Sequence, residues 1–202
     1  MDKRIMNTIA SLEKNKIKAR YFETGKEAVA ALMIEIGNED KVGIGGSMTV
    51  KNLGIPEIIR DRGNELFYHW FETTPEGINS ARMKALNSDV YITSTNALTE
   101  DGELINMDGT GNRVAAMIYG PKKVFVLSGM NKIVKNEAEG IKRIENNAWK
   151  NAARMGLNTP CVKVQHCVDC SHPHRMCNAL TIIRKKTATD LTVFIIGEEL
   201  GH

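Results

Sequence analysis

Short apolar strand segments alternate with helical segments along most of the chain, and this alternation restricts the fold more than any other feature. Strands are expected at residues 41–44, 65–68, 89–94, 103–105, 122–127, 180–186 and 190–198. Helices are expected at 3–15, 25–37, 75–87, 112–119 and 136–155. In the second helix Ala28, Leu32 and Ile36 repeat at four-residue steps, with Val29 and Met33 beside them, and Gly37-Asn38 supplies the stop. Thr74 is placed to cap the third, with Pro75 at its first position. In the last, Ala138, Ile141, Ala148, Ala152 and Met155 form the expected apolar face. Strand–helix alternation joins parallel strands through crossover helices, so a three-layer α/β fold with a largely parallel sheet is expected. The two final strands would close a sheet edge or pair across a homodimer.

The 202 residues suit one domain spanning 1–202, and no repeat or low-complexity tract interrupts them. A net charge of +3 argues for neither a nucleic-acid nor a membrane partner, and Arg184-Lys185-Lys186 is expected on a solvated strand end. The amino terminus does not read as a secretory signal, and no apolar run approaches the roughly 20 residues of a membrane span. A cytoplasmic location is the expectation. Segment 156–178 differs from the rest, with weak periodicity, two prolines and three of the five histidines. It is expected to be an ordered loop around a ligand.

All four cysteines lie in that segment, spaced Cys161-x5-Cys167-x2-Cys170-x6-Cys177. In a reducing compartment such crowding favours metal ligation over disulfides. Two cysteines separated by two residues can turn both sulfurs toward one centre, and the outer pair completes four thiolates. Four thiolates suit a cubane iron–sulfur cluster, of the 4Fe-4S type, or a tetrahedral zinc ion. The irregular spacing favours the cluster, with zinc as the alternative. His166, His172 and His174 could replace a ligand.

Three loops follow strands and supply polar groups. In the first, Gly45 and Gly46 let backbone N–H groups approach an anion, and Ser47 and Thr49 add hydroxyls. The loop lacks the third glycine of a dinucleotide fingerprint and the lysine of a P-loop. The second, 96–113, offers Asn96, Gly109, Thr110 and Asn112, with Arg113 placed for a bidentate contact to a carboxylate or phosphate. Glu103 or Asp108 could act there as acid or base, or could simply hold the turn. The third brings Asn131 and a candidate catalytic Lys132 to the same sheet edge, where open α/β sheets place ligands.

The runs Gly43-Ile44-Gly45-Gly46-Ser47, Thr95 to Gly102, Asp108 to Ala115 and Gly129 to Val134, with Thr159-Pro160-Cys161 and Cys167-Val168-Asp169-Cys170, resemble the LUD-domain family of lactate-utilisation proteins. The resemblance implies a fold similar to that of sugar-phosphate isomerases and CoA transferases. It also implies a link to oxidation of lactate to pyruvate, beside separate iron–sulfur subunits. Three functions are thereby expected to compete. One is an iron–sulfur redox component binding a small anionic metabolite such as lactate or pyruvate. Another is an isomerase-like enzyme on a sugar phosphate or similar molecule, with a structural metal. The third is a metabolite or redox sensor.

Overall fold

The computed structural model of the chain describes residues 2–201. Its helices are α1 (Lys3–Lys14), α2 (Gly25–Glu35), α3 (Met48–Asn52), α4 (Ile55–Asp61), α5 (Pro75–Leu86), α6 (Asn112–Tyr119), α7 (Glu137–Arg154) and α8 (Pro160–Val164). The strands are β1 (Lys18–Phe22), β2 (Val42–Ile44), β3 (Leu66–Tyr68), β4 (Val90–Thr93), β5 (Ala97–Thr99), β6 (Leu104–Asp108), β7 (Lys123–Gly129), β8 (Ile133–Val134), β9 (Ala179–Ile183) and β10 (Asp190–Ile196). Six of them form a sheet in the order β1-β10-β7-β4-β2-β3, with every neighbouring pair parallel. The other four form a smaller mixed sheet, β8-β5-β6-β9.

Side-chain alternation along the central strands builds two cores at once. Val124, Val126, Val193 and Ile195 pack on one face with Ile5 and Leu12 of α1, Ala85 of α5 and Met117 of α6. Phe125, Leu127, Phe194 and Ile196 pack on the other with Leu32 of α2, Val50 of α3 and Ile59 of α4. The result is the expected three-layer α/β arrangement. Burying an aliphatic side chain of this kind is worth about 1.5–3 kcal/mol. That packing holds α3 and α4, only 5 and 7 residues long, which would be too short to persist alone. A third cluster, Ala97, Ile105, Val134 and Ile144, joins the smaller sheet to α7.

Three expectations change. Segment 190–198 does not lie at an edge: β10 runs between β1 and β7, parallel to both, and only β9 takes an edge position, in the smaller sheet. The buried face of α7 is Gly140, Ile144 and Ala152, while Ala138 and Met155 are exposed, because α7 covers the smaller sheet and not the larger one. Segment 156–178 is not wholly loop, since α8 carries Cys161. Among the described residues no helix is long and apolar enough to cross a membrane.

Strand order sets the position of the site. From β2 the chain moves outward to β3, then returns to lay β4 on the other side of β2. A crevice opens at such a switch point, at the carboxyl ends of the strands.

Candidate anion cavity and cysteine pocket

A cavity of about 550 Å³ occupies that crevice. From the loop after β2 it receives Gly46, Ser47 and Thr49. Asn96, Asp108, Gly109, Thr110, Asn112 and Arg113 enter from the second loop, and Lys132 from the turn after β7. Ser47 caps α3, its Oγ accepting from Val50 N at 3.3 Å. Gly45 lies just beneath: a Cβ there would stand 2.9 Å from the Tyr91 hydroxyl and 3.0 Å from Thr93 Oγ1. Asn131 braces the chain behind the cavity, its Oδ1 accepting from Leu200 N at 3.1 Å. Glu103 is not brought to the cavity. It sits in the turn between β5 and β6 of the smaller sheet, where it pairs with Arg184 at 3.3 Å and accepts from Thr99 Oγ1 at 3.3 Å.

Arg113 does not offer its guanidinium to a ligand. Its Nε donates to Asp108 Oδ1 at 2.9 Å, and Nη1 donates to Ser94 O at 2.9 Å and Asn106 Oδ1 at 2.6 Å. Nη2 donates to Asn96 Oδ1 at 2.8 Å and Met107 O at 3.1 Å. A guanidinium has five N–H groups, so this set saturates it. Asp108 is committed as well, since its Oδ2 accepts from Val114 N at 3.1 Å at the start of α6. The expected bidentate anion contact is replaced by an internal clamp that ties the second loop to the end of β4. Asn96 belongs to the same clamp, accepting at Oδ1 from Met107 N at 3.0 Å.

Lys132 is the more deeply buried of the cavity's two buried cations, 4% exposed against 8% for Arg113. Its Nζ donates to Thr49 Oγ1 and Ser94 Oγ, each at 2.8 Å, and to Thr95 O at 3.2 Å. Burial, and then the nearby charges of Arg143 and Arg113, push its amine down to about 7. Near neutrality the group can therefore gain or lose a proton when an anion arrives.

Several residues facing the cavity carry no signal in the loop motifs: Lys51, His69, Trp70, Arg82, Arg143 and Arg154. His69 and Trp70 follow β3 and lie over the first loop, with Trp70 Nε1 3.2 Å and His69 Nε2 3.3 Å from where a Gly46 Cβ would be. Burial first, then Arg82 and Arg154, hold the His69 imidazole down to about 4, so it is neutral at pH 7. Arg154 lies 4.4 Å from the Trp70 ring centroid. Arg143, from α7, donates to Asn131 O at 3.2 Å and Asn96 O at 2.7 Å. In all, six cations face two carboxylates, Glu72 and Asp108, and Asp108 is already paired. The field of the cavity is positive.

The four cysteines are free thiols, each partly buried, and all four line one adjoining pocket of about 30 Å³. Asp169, at φ 42°, turns the chain between Cys167 and Cys170. Its backbone N–H donates to Cys167 Sγ at 3.4 Å, and Thr159 Oγ1 lies 3.2 Å from Cys161 Sγ. Arg175 gathers the loop by donating to Cys170 O at 2.6 Å and Cys177 O at 2.9 Å. Burial, with the neighbouring Cys167 next, raises the Cys177 thiol. Among the described residues no three His, Cys, Asp or Glu side chains are drawn into a ready metal cage. The thiols share a pocket wall without converging on one point. Met176 and Cys177 line this pocket and the large cavity alike. The loop is also stapled to the clamp, because Asn178 N donates to Asp108 O at 3.0 Å and Asn178 Nδ2 to Gly109 O at 2.9 Å.

Comparison with known proteins agrees with this architecture. A DUF162 family protein from Deinococcus radiodurans has a similar solved structure, with a TM-score of 0.57 and 14% sequence identity over 96% of this chain and 97% of that one. At that identity the likeness speaks to fold alone. No curated protein matches the chain. The LUD domain model matches residues 5–196, and the chain therefore belongs to the LUD domain family.

Proposed function

We propose that this LUD-domain protein is a redox component that binds a small carboxylate, lactate or pyruvate in kind, beside a thiolate-held iron–sulfur centre. The observation that carries the reading is the shared wall: Cys177 and Met176 face both the cysteine pocket and the cationic cavity. Cys161, Cys167, Cys170 and Cys177 would hold the centre, and four soft thiolates suit an iron–sulfur cluster, with zinc as the alternative. When bound, a cluster would supply one-electron transfer next to the anion. Separate iron–sulfur subunits are the partners such a component would serve.

The chain's own residues hold the carboxylate. Lys132 supplies positive charge at the cavity floor; its three N–H groups go to Thr49, Ser94 and the Thr95 carbonyl, so it acts on the carboxylate through its field unless one of them is released. An anion beside it favours the ammonium form, so binding near neutrality draws a proton onto Nζ. Ser47 and the backbone of Gly46 close the adjoining wall. The isomerase alternative through Asp108 or Glu103 finds no support in this geometry, since Arg113 and the Val114 amide occupy Asp108, and Glu103 lies elsewhere.

Iron and acid-labile sulfide analysis of protein purified without oxygen tests the proposal. The expected protein is brown and loses iron, sulfide and visible absorption when Cys167 and Cys170 are both replaced by Ser. Titration with pyruvate should perturb that absorption. A colourless protein that refuses iron and sulfide on reconstitution would overturn the cluster.

A further inference from the structure

The cavity holds three further cations, Lys51, Arg82 and Arg154, that are not among the charges acting on Lys132. Lys132 feels Arg143 and Arg113, whereas His69 feels Arg82 and Arg154. Lys51 joins this group, its Nζ 5.9 Å from the centroid of the Trp70 ring that Arg154 also covers. Among the described residues none of Lys51, Arg82 and Arg154 has a carboxylate partner. The Nε of Arg82 is buried with no hydrogen-bond partner at all. A buried donor left unpaired on a charged group is costly, and it marks a place where an acceptor belongs.

The size of the space points the same way. About 550 Å³ lies in the range of pockets that enclose drug-sized ligands. A three-carbon acid seated on Lys132 would leave most of it empty.

We propose that Lys51, Arg82 and Arg154, with the Trp70 indole N–H and the His69 ring, form a phosphate-monoester subsite, so that the preferred ligand carries a phosphoryl group as well as a carboxylate. This rests on the carboxylate reading at Lys132 and extends it. The donor set decides for phosphate over a second carboxylate. Two guanidinium groups, an ammonium and an indole N–H are more donors than two carboxylate oxygens can face, while a phosphate dianion offers three oxygens and twice the charge. His69, neutral at pH 7, adds one donor without adding a charge of its own.

Calorimetric titration of the full chain with pyruvate, inorganic phosphate, glycerol 3-phosphate and 3-phosphoglycerate tests the subsite. The expected order places 3-phosphoglycerate at least about tenfold tighter than pyruvate, the worth of one charge-assisted hydrogen bond. Arg82→Gln should collapse that ratio toward one. If Arg82→Gln does not fold, Lys51→Gln, on the exposed rim, should reduce the same ratio. A ratio near one in the unaltered chain overturns the subsite, whatever the pyruvate affinity. Glycerol 3-phosphate binding through Arg82 without any pyruvate binding supports the subsite and removes the carboxylate reading instead. Inorganic phosphate binding as tightly as both esters would show a site for the free ion and would overturn the ester.

Discussion

Arg113 Nη2 stands 2.6 Å from Asp108 Oδ1, and both side chains are about nine-tenths buried. The pair closes a ring of contacts through Asn96, Asn106 and the carbonyls of Ser94 and Met107. It is the joint between the two sheets, because Ser94 follows β4 of the larger sheet while Asn106, Met107 and Asp108 belong to β6 of the smaller one.

Replacing that arginine should therefore damage stability before it touches ligand chemistry. Arg113→Lys keeps a charge but loses the fork, stranding Asp108 and two carbonyls. A loss of about 3 kcal/mol or more is expected, as for other broken buried pairs. Urea unfolding of the variant beside the parent measures it, and a loss within about 0.5 kcal/mol, ordinary for a surface change, contradicts the joint.

Lys132 predicts a pH dependence with a definite sign. Its amine is held at about 7 in the fold against an ordinary 10.5 in the unfolded chain. Below about 7 both states are protonated and the cost of the buried charge is present in full. From about 7 toward 10.5 the unfolded chain binds the extra proton, so this group makes stability rise with pH. Lys132→Met should flatten that rise in urea midpoints measured across the alkaline range. Pyruvate affinity should move the opposite way, weakening as pH climbs through 7, with proton uptake on binding visible in buffers of different ionisation enthalpy.

His69 adds an acid limb. Its imidazole is held at about 4, so between about 6.5 and 4 the unfolded chain takes up a proton that the fold refuses. Stability should fall as pH drops through that window, and His69→Gln should remove this component from acid unfolding curves.

Glu103 serves as a negative control. It lies among Thr99, Glu137 and Arg184, in an ion pair whose arginine is well exposed while the Glu103 side chain is 15% exposed, and Gln can keep its bond from Thr99. Glu103→Gln should change stability by about 1 kcal/mol or less and leave pyruvate titrations as they were.

The thiol of Cys177, raised by burial and by its three neighbours, should be alkylated more slowly than free cysteine in reduced, metal-free protein. Peptide mass spectrometry after timed exposure to iodoacetamide reads the rate. Modification as fast as that of the free amino acid argues against the crowded pocket.

Much of this was legible in the chain because burial on both faces leaves a plain mark. Within 89–94 and 122–127 the unbroken apolar runs are Val90-Tyr91-Ile92 and Val124-Phe125-Val126-Leu127, and they lie in the buried strands β4 and β7. By contrast β1, Lys18–Phe22, was hidden by its own basic residues: Lys18 pairs with Asp190, and Arg20 lies over the Phe22 and Phe194 rings. Strand β10 read as an edge because nothing local in a strand says which neighbours it will find. Loop motifs led to the cavity but not to its further cations. One signal was available: Arg143, Asn147, Asn151 and Arg154 recur at steps of four, four and three along α7, a polar stripe that all faces the cavity. His69 and Trp70 left no such trace, since a turn after a strand has no period to read.

Asn178 ends the thiol-bearing segment and holds the carbonyls of Asp108 and Gly109 with its backbone and side chain. A rearrangement among the sulfurs thus has a short mechanical route into the strand that grips the arginine joint. Two hydrogen bonds are shared property of the thiol-bearing segment and the chamber wall, and they are the place where a change in one would reach the other.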